Sequence, residues 1–133
     1  MGDRANVAIE QWRPDGARIY IYTHWDGYDL PDMLADALNT KSARARWKDD
    51  SYLTRILIDQ ITKSGRDEET GYGVSTYITD NSYNVLVVNP TSGTVHVEND
   101  QNVKIGEHVN FQTYIDMSPH QRRRFNLVPS TVP

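Results

Sequence analysis

The chain has no cysteine. That removes disulfides, thiolate metal sites and a cysteine nucleophile together. It fits a reducing compartment, and a cytoplasmic location is expected. No apolar run approaches the ~20 residues that span a bilayer, so no membrane association is expected. The first residues carry no signal-peptide apolar segment, and Asn6 breaks the myristoylation pattern that Gly2 would open. The phosphate-loop sequence Gly-x-x-x-x-Gly-Lys and the nucleophile elbow Gly-x-Ser-x-Gly are both missing. His-x-His, His-Glu-x-x-His and acidic calcium-loop patterns are missing too, so neither a metal nor any other cofactor is expected.

What is present is one domain's worth of sequence. At 133 residues a chain can bury roughly two thirds of its unfolded surface around a single core. Eighteen acidic residues stand against fourteen basic ones, and three of the fourteen are the consecutive Arg122, Arg123 and Arg124. The remaining body is strongly acidic and should repel a phosphate backbone, so direct DNA or RNA binding is not expected. The triplet reads as a solvated tail, or as a strap over the acidic body.

Hydrophobic periodicity outlines the elements. Val7 and Ile9 alternate with polar or small neighbours, Arg13-Pro14-Asp15-Gly16 is a turn signal, and Ile19 and Ile21 resume the alternation. Strands are expected at about 5–12 and 17–24, paired as a hairpin. Asp29 and Pro31 open a helix with Leu30, Met33, Leu34, Ala37 and Leu38 on one stripe, ending near Asn39-Thr40. A second helix follows Asp49-Asp50-Ser51, with Leu53, Ile56, Leu57 and Ile61 inward and Gly65 at its end. Strands are expected at about 73–79, 83–89 and 94–98, separated by Asp80-Asn81-Ser82 and by Asn89-Pro90-Thr91-Ser92-Gly93. Such short turns predict antiparallel pairing. Val103-Lys104-Ile105 is a further short strand candidate, and Val109 to Met117 a short helix.

The expected fold is therefore α/β of the α+β kind: order ββααβββ plus a C-terminal helix, one antiparallel sheet of about five strands, helices packed on one face. Residues 1–120 form the domain, and 121–133 an irregular basic tail dispensable for folding. Val7, Ile21, Leu34, Leu38, Leu53, Leu57 and Val87 belong to the core.

The chemistry concentrates in Tyr22-Thr23-His24-Trp25-Asp26-Gly27-Tyr28, where an alternating strand runs into a histidine, an indole and a carboxylate at a turn. His24 with Asp26 could serve as acid or base. In the plainer reading Asp26 fixes the turn, His24 is a satisfied strand-end histidine and Trp25 is core. Tyr20, Tyr22 and Tyr77 suggest a tyrosine face opposite the helices, suited to an interface or to cover by the last helix. An open face of that kind favours homo-oligomerisation. Tyr52 and Arg55 stand near the start of the second helix, where anions are attracted, although Asp49 and Asp50 can simply cap it. Gly71-Tyr72-Gly73 permits close backbone approach.

Met1-Gly2-Asp3-Arg4-Ala5-Asn6, followed by a hairpin and by Tyr22-Thr23-His24-Trp25-Asp26-Gly27, resembles a group of small uncharacterised proteins of phages, prophages and bacteria. These begin Met-Gly-x-Arg and carry Tyr-x-His-Trp-(Asp/Gly)-Gly before a helix. The likeness runs on through Arg46-Trp47, Tyr52-Leu53-Thr54-Arg55-Ile56 and Glu69-Thr70-Gly71-Tyr72-Gly73-Val74, covering about residues 1–90. It implies a viral or prophage origin rather than a mechanism, and puts Arg4, His24, Trp25, Asp26, Arg55 and Tyr72 forward as one cluster.

Three functions compete. The first is a phage-type binding protein for a small anionic, nucleotide-like ligand, such as a host defence signal to be sequestered. Arg4 and Arg55 would take the charge, Trp25 and Tyr72 would stack, and Asn6, His24 and Asp26 would supply directional hydrogen bonds, with Tyr22 beside them. The second is a hydrolase or phosphodiesterase acting on a nucleotide through His24 and Asp26. The third is a protein–protein module that inhibits a host protein.

Overall fold

A computed structural model describes residues 2–13, 15–99 and 101–127, with residue 127 described by its backbone alone. The hairpin is as expected. Strands β1 (Ala5–Glu10) and β2 (Arg18–Thr23) pair antiparallel, with Val7 opposite Ile21 and Glu10 opposite Arg18. Three helices follow: α1 (Leu30–Leu38), the short α2 (Lys41–Ala45) and α3 (Asp50–Thr62). The chain then forms β3 (Tyr72–Ser75), β4 (Val85–Asn89), β5 (Thr94–Glu98) and β6 (Lys104–Asn110), and closes with α4 (Phe111–Asp116) and α5 (Pro119–Leu127). Asp49 caps α3 through the Tyr52 N–H, and Asn110 caps α4 through the Thr113 N–H.

The sheet has six strands, ordered β3-β2-β1-β4-β5-β6. It is mixed rather than antiparallel, because β4 lies parallel to β1. The Asp80-Asn81-Ser82 turn is not a hairpin. It belongs to a crossover over residues 76–84 that leaves β3 at one edge and returns to the sheet beyond β2 and β1. Its polar residues are used along the way: Asn6 Nδ2 donates to the Asp80 carbonyl (3.1 Å), and the Ser82 N–H donates to the Arg4 carbonyl (2.8 Å). A short polar stretch between two strands looks like a tight turn in sequence, and only the pairing partners distinguish the two.

The core lies between the sheet and the helices. Val7, Ile9, Ile21, Leu86, Val88, Val95 and Val97 face Leu34, Leu38, Leu53, Leu57, Ile61, Phe111 and Tyr114. All seven core residues named from the sequence are fully buried. Trp47 joins from the side, donating its indole N–H to the Leu38 carbonyl and meeting Phe111 edge-on.

The opposite face is not the open tyrosine surface expected. Tyr20 is only 7 % exposed, since Ile78 of the crossover packs on it together with Ala8, Val85 and Val87. Beyond Ile78, Arg18 reaches diagonally across the strands to hold Glu98 with two hydrogen bonds (2.8 Å each) and Glu10 with one (2.9 Å). His96 Nε2 stands 2.8 Å from the same Glu98 carboxylate. Burial alone would raise the Glu98 pKa, but the Arg18 and His96 bonds outweigh it and hold the carboxyl below its ordinary value.

Nor is the chain irregular after Gln121. Residues 119–127 form α5, which docks on α1 and α4. Arg122, 7 % exposed, binds Asp32 (3.0 Å) and the carbonyls of Ile115 (3.1 Å) and Met117 at the end of α4. Arg123 binds Asp32 (2.8 Å) and lies over the Tyr28 ring. Phe125 meets Tyr114 edge-on. Arg122 and Arg123 thus strap α5 to Asp32, while Arg124 is exposed. The helix carries no apolar stripe, so hydrophobic periodicity does not reveal it. Residues 128–133 of the expected tail lie outside the described residues.

Candidate functional site

The turn after β2 is built by Asp3. Its N–H donates to the His24 carbonyl (2.7 Å), and its carbonyl accepts from the Gly27 N–H (2.8 Å). Its carboxylate takes the Tyr28 N–H (2.9 Å) and the Tyr83 hydroxyl (2.5 Å). Tyr83 is pushed up to about 12 by burial and by that carboxylate. Gly27 is required by this lacing: a Cβ there would stand 2.6 Å from the Asp3 carbonyl oxygen and 2.6 Å from the Tyr83 ring. Thr23 Oγ1 closes the turn by accepting the Asp26 N–H (3.1 Å). Asp3 has no role in the sequence reading, and nothing in its sequence context marks it.

Strand alternation divides the expected cluster between the two faces of the sheet. Tyr22 lies on the crossover side with Asn6. Its hydroxyl is 2.7 Å from His24 Nδ1, which fixes the ring and leaves Nε2 without a hydrogen bond among the described residues. Arg4 adjoins His24: a Cβ on Gly2 would be 3.1 Å from Arg4 Nε and 3.2 Å from His24 Cε1. Arg4 Nε is buried without a hydrogen-bond partner, and its ion pair with the exposed Asp80 is long, at 3.9 Å. Trp25 meets His24 edge-on at 5.1 Å between ring centroids. It is 56 % exposed, so it is not a core residue. Its ring rests on Gly71, whose positive φ of 107° disfavours a side chain and where a Cβ would stand 3.2 Å from the ring.

Tyr72 is opposite Thr23 and therefore on the helical side. Its hydroxyl donates to Asp26 and stands 3.0 Å from Ser64 Oγ just beyond α3. Burial, then the Asp26 contact, raises its pKa. His24 and Asp26 thus hydrogen-bond different tyrosines and not each other, and the acid–base pair suggested by their spacing is not formed. Asn6 is committed to the crossover through Asp80, Asn81 and Thr79.

Arg55 is elsewhere. The start of α3 lies at the hairpin end of the sheet, where Asp50 accepts the Trp12 N–H (2.6 Å) and Thr54 Oγ1 accepts from Gln11 (3.0 Å). The length of β1, about 20 Å at ~3.3 Å per residue, separates that end from His24. Among the described residues no hydrogen bond or ion pair joins Arg55 to the other five residues of the expected cluster. Arg4, Tyr22, His24 and Trp25 come together, Asp26 and Tyr72 brace them from the other side, Asn6 anchors the crossover, and Arg55 stands apart.

The hairpin end has concavities of its own, two open grooves of about 430 Å³ on either side of Trp12. Glu10, Arg13, Asn89 and Thr91 line one, Lys48, Asp49 and Asp50 the other, and Trp12 itself is 74 % exposed. Nothing in the periodicity of the sequence singles Trp12 out. Among the described residues no group of three or more His, Asp or Glu could hold a metal ion, and no helix is long and apolar enough to cross a membrane. No protein-family model matches the chain, and neither the curated proteins nor the solved structures contain a significant match.

Proposed function

We propose that the chain is a non-enzymatic binding protein for a small anionic, nucleotide-like ligand, held at the corner of Arg4, His24 and Trp25. The observation that carries this reading is Arg4 Nε, which makes no hydrogen bond and only a long ion pair with Asp80, beside a histidine whose Nε2 makes no hydrogen bond among the described residues. An unpartnered buried donor costs roughly 1–3 kcal/mol, and less here because the Arg4 side chain is 39 % exposed. An anion between the two would satisfy both with charge-assisted bonds. Trp25 offers a rigid, exposed ring next to them, as stacking on a base requires. The separation of His24 from Asp26 favours binding over hydrolysis. In a phage protein such a corner would serve to withdraw a host nucleotide signal.

Titration with a panel of nucleoside monophosphates, cyclic nucleotides and dinucleotides, followed by calorimetry, tests the reading. Saturable binding should be lost in Arg4→Gln and His24→Ala, weakened in Trp25→Ala, and unchanged in Arg55→Ala. Conversion of any bound nucleotide to product would move the assignment to an enzyme.

A further inference from the structure

The two edges of the sheet are guarded very differently. Strand β6 carries the exposed Lys104, Glu107 and His108, and its pairing with β5 is broken by a register shift near Gly106, which has a positive φ. Charge and a bulge are standard protections against edge-to-edge association. Strand β3 has neither. From Gly71 to Thr79 there is no charged residue. Three large exposed side chains border this edge: Val74 (49 %), Tyr77 (65 %) and Trp25 on Gly71.

The backbone of β3 is also unfinished. The His24 N–H donates to the Gly71 carbonyl (2.9 Å), which makes that pair hydrogen-bonded. With the observed register, Tyr22–Gly73 and Tyr20–Ser75 are the next bonded pairs. The backbone groups of Tyr72 and Val74 therefore point away from β2, and no hydrogen bond is made to them among the described residues.

We propose that β3 is the docking edge for a second copy of this chain, paired antiparallel about a two-fold axis at Val74. Val74 then exchanges both backbone bonds with its counterpart. A self-complementary, uncharged strand fits its own copy better than a charged partner. The proposal does not depend on the ligand reading.

Sedimentation of the full chain over a wide concentration range should give a mass near twice the 15.2 kDa of one chain. Val74→Pro removes an N–H that points away from β2, so the sheet's own ladder is kept. It should sediment as a monomer with unchanged far-ultraviolet dichroism. Hydrogen exchange on the unaltered chain is the control against a misfolded variant. The Val74 amide should gain protection with concentration, while the Gly73 amide, bonded within the sheet, stays protected throughout. A single-chain mass at the highest concentration, a dimer that survives Val74→Pro, or Val74 exchange independent of concentration would each overturn the proposal.

Discussion

Replacing Arg122 by Met tests whether the C-terminal helix is part of the fold. The substitution keeps most of the stem's apolar bulk and removes only the guanidinium. Arg122 is 7 % exposed and binds Asp32 together with the Ile115 and Met117 carbonyls, the orphan acceptors at the end of α4. Breaking a buried ion pair by deleting one partner costs about 3–5 kcal/mol. Asp32 is partly open to water and keeps its bond to Arg123, which lowers the figure. The stranded carbonyls add roughly 1 kcal/mol or more where water cannot reach them. A net loss of about 2–4 kcal/mol is expected, which for a domain of this size lowers Tm by roughly 6–15 °C. Urea denaturation followed by tryptophan fluorescence and by far-ultraviolet dichroism measures it directly. A loss under about half a kcal/mol, the scale of an ordinary surface substitution, would show that the arginine strap is not holding the helix and that the body folds without it.

Leu57→Ala should cost about 2–5 kcal/mol, because the side chain is fully buried between α3 and the sheet; a small loss in equilibrium unfolding would contradict the packing. Gly27→Ala should destabilise the fold, since its Cβ would press on the Asp3 carbonyl oxygen at 2.6 Å, and thermal melting should show the loss even though alanine is the smaller of the possible additions. The depressed Glu98 pKa stabilises the native state above the ordinary glutamate range, and that stabilisation should disappear as the pH falls through the native value. Glu98→Gln should flatten the acid limb of the stability–pH profile, and an unchanged limb would remove Glu98 from the cause.

Sequence periodicity reveals what depends on burying apolar side chains. Val7 with Ile21, and Leu34 and Leu38 with Leu53 and Leu57, sit at strand and helix spacing, so both the hairpin and the helical layer can be read directly. Pairing partners cannot. The polar run through Asp80-Asn81-Ser82 has the composition of a tight turn, yet it is the middle of a crossover tied down by Asn6. The arginine strap is likewise hidden, because its complement, Asp32 on α1, lies ninety residues away. At the site, sequence places His24, Trp25 and Asp26 in succession but does not say which side of the sheet each serves. Tyr22 and Tyr72, from different strands, take His24 and Asp26 in opposite directions. The resemblance groups Arg55 with His24, but α3 begins at the hairpin end of the sheet, where Asp50 accepts the Trp12 N–H.

The most direct test of the central claim is to load the protein with a bacterial cell extract, repurify it, denature it by heat and identify the released small molecules by mass spectrometry. The unaltered chain should release an intact anionic, nucleotide-like compound in stoichiometric amount. Arg4→Gln and His24→Ala, shown to be folded by dichroism, should release none, and Arg55→Ala should release as much as the unaltered chain. Equal release from all four proteins, or release from none, would contradict a binding site at Arg4, His24 and Trp25.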